Sequence, residues 1–191
     1  MNKSTALIAV AAFAALASTA VRAESPAADS QYAVSIDSNR PRAEVMAEAA
    51  KVNEDLGANI IDINFGCPVK KVACKGAGAG LLQDLVKMQN ITAEIVKACN
   101  RPVTVKTRLG WDDSTKNILE AAQRLQDVGV AALTIHGRTR AQMYKGEADW
   151  EYISKIKQNP NIEIPIFGNG DIDSPEKALE YRQKYACDGM M

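Results

Sequence analysis

From residue 31 onward, short β-branched runs alternate with segments of helical period, the pattern of a parallel α/β architecture. The pattern predicts strands near 32–36, 60–64, 103–106, 133–136 and 164–167, with a last one starting near Asp188. Helices are predicted near 42–56, 80–99, 114–128, 149–158 and 174–185. The last of these opens on Asp173 or Ser174 followed by Pro175, a capping side chain and then a proline whose missing N–H costs nothing in a first turn. Successive strands stand about 30 to 40 residues apart, the length of one βα unit. A doubly wound sheet and a (β/α)8 barrel both fit that period. Polar residues gather just past the strand ends, in Asp62-x-Asn64-x-x-Cys67, Lys106-x-Arg108, His136-x-Arg138 and Gly168-Asn169-Gly170-Asp171. Strand ends of a barrel converge on one mouth, where the active sites of that fold lie. The clustering therefore favours an α/β fold of partial TIM (β/α)8 barrel type.

With 47% hydrophobic and 24% charged residues among 191, the chain can bury one core, and its composition does not suggest disorder. Lys and Arg number 23 against 23 Asp and Glu, so the molecule lacks the basic field of many nucleic-acid binders. Any RNA contact must come from a local patch. Cys67, Cys74, Cys99 and Cys187 show no CxxC spacing and have a single histidine to join them, which argues against a zinc site, and no metal is expected. Their even number does not establish a disulfide.

The N-terminus points elsewhere. Lys3 precedes an apolar run over 6–20, and Val21-Arg22-Ala23 puts small residues where a signal peptidase reads, so residues 1–23 read as a secretory signal. An Ala-rich helix or a mis-assigned start is the alternative. The run is too short and alanine-rich for a membrane span, so stable membrane insertion is not expected. Residues 24–30 read as a linker, and residues 31–191 as an incomplete barrel domain.

Cys67, between Gly66 and Pro68 beyond a strand, reads as a thiol placed for proton transfer or as a small buried hydrophobe. Lys106 ends an apolar strand, where a buried ammonium asks for an anion or carbonyl, or simply snorkels to solvent. His136, the only histidine, is a structural residue or, with Arg138 and Arg140 beside it, part of a phosphate site. Gly76-Ala77-Gly78-Ala79-Gly80 leads toward a helix whose N-terminus could meet an anion, or serves only to bend the loop. Lys70, Lys71 and Lys75 flank that loop as a patch for RNA phosphates or as solvated surface charge.

Read together, Ile61-Asp62-Ile63-Asn64-Phe65-Gly66-Cys67-Pro68-Val69-Lys70-Lys71, Val105-Lys106-Thr107-Arg108-Leu109-Gly110-Trp111, Thr134-Ile135-His136-Gly137-Arg138-Thr139-Arg140 and Gly168-Asn169-Gly170-Asp171 closely resemble bacterial tRNA-dihydrouridine synthases, most of all the B-type branch. The resemblance runs from about residue 42 to residue 191. It implies an FMN over the barrel mouth, NADPH as its reductant, and tRNA as substrate, with hydride passing to C6 of a flipped-out uracil. Cys67 stands where the family has the cysteine that protonates C5. Lys106, His136, Asn169, Gly170 and Asp171 match cofactor-binding positions, and Asn64 and Arg138 match positions in the substrate pocket. A cation near the flavin's pyrimidine edge stabilises negative charge on the reduced ring, as Lys106 would.

The chain also departs from the family. Ser35 stands where the family has a glutamine on flavin, and the family's opening strand is replaced by the signal-like segment. The chain stops at Asp188-Gly189-Met190-Met191, within the seventh strand, before the glycine-arginine turn that grips the FMN phosphate and before the helical RNA-binding domain. Weak FMN binding and two open sheet edges are expected of such a chain. The first reading is thus a fragment of a dihydrouridine synthase, cytoplasmic by resemblance. The second is a non-catalytic, exported barrel fragment. Other flavin barrels such as dihydroorotate dehydrogenases match these blocks less well.

Overall fold

The computed structural model describes residues 40–191. The signal-like segment, the linker, the strand predicted at 32–36 and Ser35 lie outside the described residues.

Helix α1 (Arg42–Asp55) leads into β1 (Ile61–Asn64), a short α2 (Lys70–Ala73), α3 (Leu85–Ala98) and β2 (Val103–Arg108). Then follow α4 (Ile118–Asp127), β3 (Ala132–His136), α5 (Trp150–Lys157), β4 (Ile166–Asn169), α6 (Pro175–Tyr185) and β5 (Gly189–Met190). All five strands are parallel and each pairs with the next in sequence, in the order β1-β2-β3-β4-β5. A doubly wound sheet reverses its order at a switch point, whereas barrel strands follow one another around the wall. The sequential order settles the choice that the strand period leaves open, and the described sheet is a partial, unclosed barrel.

Alternation along the strands divides its two faces. Ile61, Ile63, Val103, Val105, Leu133, Ile135 and Ile166 are buried in one core with helix residues such as Ala50, Met88, Ile91, Ile95, Ala122, Leu125 and Ile153. Asp62, Asn64, Thr104, Lys106, Thr134 and Asn169 point the other way, to the barrel's inner face, and are only partly buried. On α3, Met88, Ile91, Thr92 and Ile95 fall on one stripe, and Asp84 caps its start by accepting the Lys87 N–H at 2.9 Å. Asp149 caps α5 in the same way, and Ser174 with Pro175 opens α6.

Three elements start two or more residues later than expected, each for a local reason. The strand predicted at 164–167 lies at Ile166–Asn169, because Pro165 cannot donate to the ladder and only its carbonyl joins, accepting Leu133 N–H at 3.0 Å. The helix predicted from Gly80 starts at Leu85, since Gly78–Gln83 forms a buried 3₁₀ segment that ends on the Asp84 cap. The helix predicted from Ser114 starts at Ile118, since Asp113–Thr115 is a separate turn closed by Asp112 in a capping box. The single turn α2 has no counterpart among the predicted helices. Among the described residues, no helix is long and apolar enough to cross a membrane.

Candidate active site

The carboxyl ends of the strands surround a cavity of about 500 Å³. Asn64, Cys67, Lys106, His136, Arg138, Asn169, Gly170 and Asp171, all singled out from sequence, line it. Gly66, Pro68, Val69, Arg108 and Tyr144 complete the wall.

Cys67 owes its position to a turn fixed on both sides. The Asn64 side-chain oxygen accepts the amide N–H of Gly66 at 2.9 Å and of Cys67 at 3.1 Å, an Asx-type turn. The Cys67 carbonyl accepts the Ala79 N–H at 3.1 Å. Gly78 makes that approach possible: at φ +51°, its added Cβ would stand 2.9 Å from the Cys67 Cβ and carbonyl oxygen. Cys67 itself is a free, partly exposed thiol. The glycine-rich run is not an anion site. Its Gly76, Ala77, Ala79 and Gly80 amides bond to backbone carbonyls; Gly78 and Gly80 serve close packing, and Gly76 turns the chain at φ +66°.

Lys106, on the inner face of β2, donates to Asn169 Oδ1 at 2.8 Å, while Asn169 Nδ2 donates to the Met191 carbonyl at 2.7 Å. Burial, with Arg108 adding to it, lowers the Lys106 pKa, and Asp62 pulls the other way. Asp62, held by Thr104 at 2.7 Å, has its own pKa raised by burial.

His136 and Arg138 form a second unit. An Arg138 Nη1 N–H lies 3.1 Å from His136 Nε2. Guanidinium is a donor only, so Nε2 is the acceptor and the ring proton sits on Nδ1. Burial first, then the charges of Arg108, Lys106 and Arg138, push the imidazole pKa down to about 4, so the ring is neutral at pH 7. Arg138 also donates from Nη2 to both Asp171 oxygens, at 2.6 and 2.9 Å, and to the Gly146 carbonyl at 2.6 Å. For Asp171 burial works to raise the pKa, but the Ala148 N–H at 2.7 Å and Arg138 outweigh it, and its carboxyl stays below the usual range. Gly170, at φ +124°, passes so close to His136 and Ala148 that its added Cβ would meet them at 3.0 and 2.8 Å.

Two site residues escaped the sequence reading as ligand candidates. Arg108 was visible as a polar strand end, but its role is seen only in three dimensions. Its side chain donates to the Gly66 carbonyl at 2.8 Å and to the Thr139 and Met143 carbonyls at 3.2 and 2.7 Å, tying the Cys67 turn to the loop after β3. That loop presents Tyr144, 71% exposed, over the Arg108 guanidinium at 5.5 Å and near the His136 ring at 6.2 Å. A lone tyrosine in a polar loop gives no sequence signal of this kind. Among the described residues, no group of three or more His, Cys, Asp or Glu is placed to hold a metal ion.

A family model described as dihydrouridine synthase (Dus) matches residues 4–191. The chain is 49% identical over 149 residues to tRNA-dihydrouridine synthase B of Pseudomonas syringae pv. tomato, covering 78% of this chain and 44% of that protein. It is 48% identical over 147 residues to tRNA-dihydrouridine synthase B of Pseudomonas aeruginosa, covering 77% and 44%. The chain thus spans less than half the length of these relatives. Among solved structures, a phosphoenolpyruvate phosphomutase from Streptomyces platensis subsp. rosaceus superposes with a TM-score of 0.51 at 16% identity, over 74% of this chain and 54% of that one. That likeness speaks for the fold alone. The sequence blocks that furnish the cavity wall, the relatives at half identity and the family match over nearly all of its length agree, and the chain belongs to the dihydrouridine synthase family.

Proposed function

We propose that this chain carries the reaction face of an FMN-dependent tRNA-dihydrouridine synthase that reduces uridine in tRNA to 5,6-dihydrouridine with NADPH, and that residues 31–191 form its flavin domain. The observation that carries this reading is the convergence of Cys67, Lys106, His136 and Asn169, from four separate strand ends, on one polar cavity.

The donor set suits a flavin. Lys106 keeps two N–H groups beyond the one given to Asn169, enough to meet the carbonyl and ring nitrogen of a flavin's pyrimidine edge. Neutral His136 adds a polar contact without a second full charge. Gly170 brings the backbone close where a side chain would intrude. Lys106, His136 and Asn169 would hold FMN, which, once reduced by NADPH, would supply the hydride for C6 of the uracil. Cys67 then gives its Sγ proton to C5, so that one hydride and one proton saturate the C5–C6 bond and leave a thiolate to be reprotonated from solvent. Asn64 holds the turn that aims the thiol, and its Nδ2 is free to donate to the base. Arg138 acts by fixing His136 and Asp171 and has little donor capacity left for substrate.

The test is direct. The protein is incubated with FMN, NADPH and tRNA lacking the modification, and dihydrouridine is counted by nucleoside mass spectrometry. NADPH-dependent formation supports the reading, and its absence with FMN bound would refute it. The substrate places the reaction in the cytoplasm. Residues 1–23, fused to a reporter, decide the competing address: a cleaved and exported reporter would favour the exported fragment.

A further inference from the structure

The turn that carries Cys67 continues into α2, and the surface it presents is charged without compensation. Between Asp62 and Asp84 lie 21 residues with three lysines, Lys70, Lys71 and Lys75, and no acid. All three lysines are exposed. Among the described residues none forms an ion pair, whereas Lys116, Lys157, Lys177 and Lys184 each lie within 4.0 Å of a carboxylate. The backbone beneath them is held firmly. Val69 and Lys70 carbonyls close the α2 turn, and Arg42 reaches from α1 to the carbonyls of Lys75 and Gly76. Pro68 and Val69, directly before Lys70, are part of the cavity wall.

Free ammonium groups on a rigid turn at the rim of a pocket, on a chain with no net charge, make a local positive field with no carboxylate partner among the described residues. We infer that Lys70, Lys71 and Lys75 are a docking surface for the RNA backbone, gripping the phosphates that flank the nucleotide whose base enters the cavity. The inference rests on the proposed function and assigns the substrate strand its path past Cys67. Polyanion contacts of this kind release counterions, so they are read from the salt dependence of binding.

The test compares tRNA binding by fluorescence anisotropy, between about 50 and 200 mM salt, for the wild-type protein, a K70Q/K71Q/K75Q variant and a K51Q/K87Q/K97Q control on α1 and α3. The first variant should lose about 2 to 3 from the slope of log K against log salt and bind far more weakly at low salt. The control, with the same change in charge, should keep the wild-type slope. FMN affinity and the rate of flavin reduction by NADPH without tRNA should not change in either. A wild-type slope in the K70Q/K71Q/K75Q variant, or an equal loss in the control, would overturn the docking surface while leaving the proposed function standing. Weaker NADPH use with unchanged RNA binding would reassign the patch to the dinucleotide and equally overturn it. A wild-type protein that does not bind tRNA would overturn both.

Discussion

Lys106 on β2 donates to Asn169 on β4 at 2.8 Å, although β3 lies between them in the sheet. Neighbouring strands stand about 4.8 Å apart. The long lysine side chain bridges both intervals on the inner face, so the bond ties β2 to β4 across the intervening strand. It also keeps the ammonium in the cavity wall, with Asn169 held by the carbonyl of Met191, the residue after β5.

Lys106→Met should therefore weaken FMN binding more than it weakens the fold. A charge-assisted hydrogen bond contributes about 1.5 to 3 kcal/mol, or about 10- to 150-fold in Kd. Flavin titration by fluorescence, with thermal unfolding in parallel, checks this. A Met variant with native FMN affinity would remove Lys106 from the cofactor site.

His136 makes acid stability depend on the site. Its folded pKa of about 4 lies below the value of 6.5 for an ordinary imidazole, so between those values the unfolded chain holds more protons than the folded one. Stability from this group is fully present above about pH 6.5 and is lost as pH falls toward 4, by about 3 kcal/mol in total. His136→Gln should flatten the fall of unfolding free energy between pH 7 and 4.5, measured by denaturant titration. A variant that loses stability with acid as steeply as wild type would mean that His136 is charged in the folded protein.

Arg108, 3% exposed, holds the Gly66, Thr139 and Met143 carbonyls together. Arg108→Met should cost about 2 to 4 kcal/mol through orphaned buried acceptors, and should raise hydrogen exchange across residues 139–146. Arg108→Lys should recover only part, since an ammonium cannot reproduce the planar fork. An unchanged exchange pattern in the Met variant would show that the loop after β3 is held by other contacts.

The strands were legible because each buried face repeats β-branched residues at every second position, as in Ile61 and Ile63 or Val103 and Val105. Polar residues at their ends marked the mouth for the same reason: Asn64, Lys106 and Asn169 occupy the inner-face register, where an apolar side chain would be expected of a filled barrel. Contacts between distant loops left no such trace. The Arg108 link to Gly66 joins positions 42 apart, and the stacking of Tyr144 on it depends on a loop whose sequence carries no period. The glycines at 76, 78 and 80 suggested a ligand. In the fold, Gly80 is required because an added Cβ would meet the Ala73 carbonyl oxygen at 2.2 Å.

In the proposed reaction the Cys67 Sγ gives the proton to C5 of uracil, and Cys67→Ala removes that proton donor. Single-turnover reduction of tRNA by the pre-reduced protein, with dihydrouridine counted by mass spectrometry, should fall by about 10²- to 10⁴-fold in the variant. FMN affinity and flavin reduction by NADPH should stay at wild-type values, because no cofactor contact is removed. An alanine variant that forms dihydrouridine at the wild-type single-turnover rate would show that the proton comes from another group.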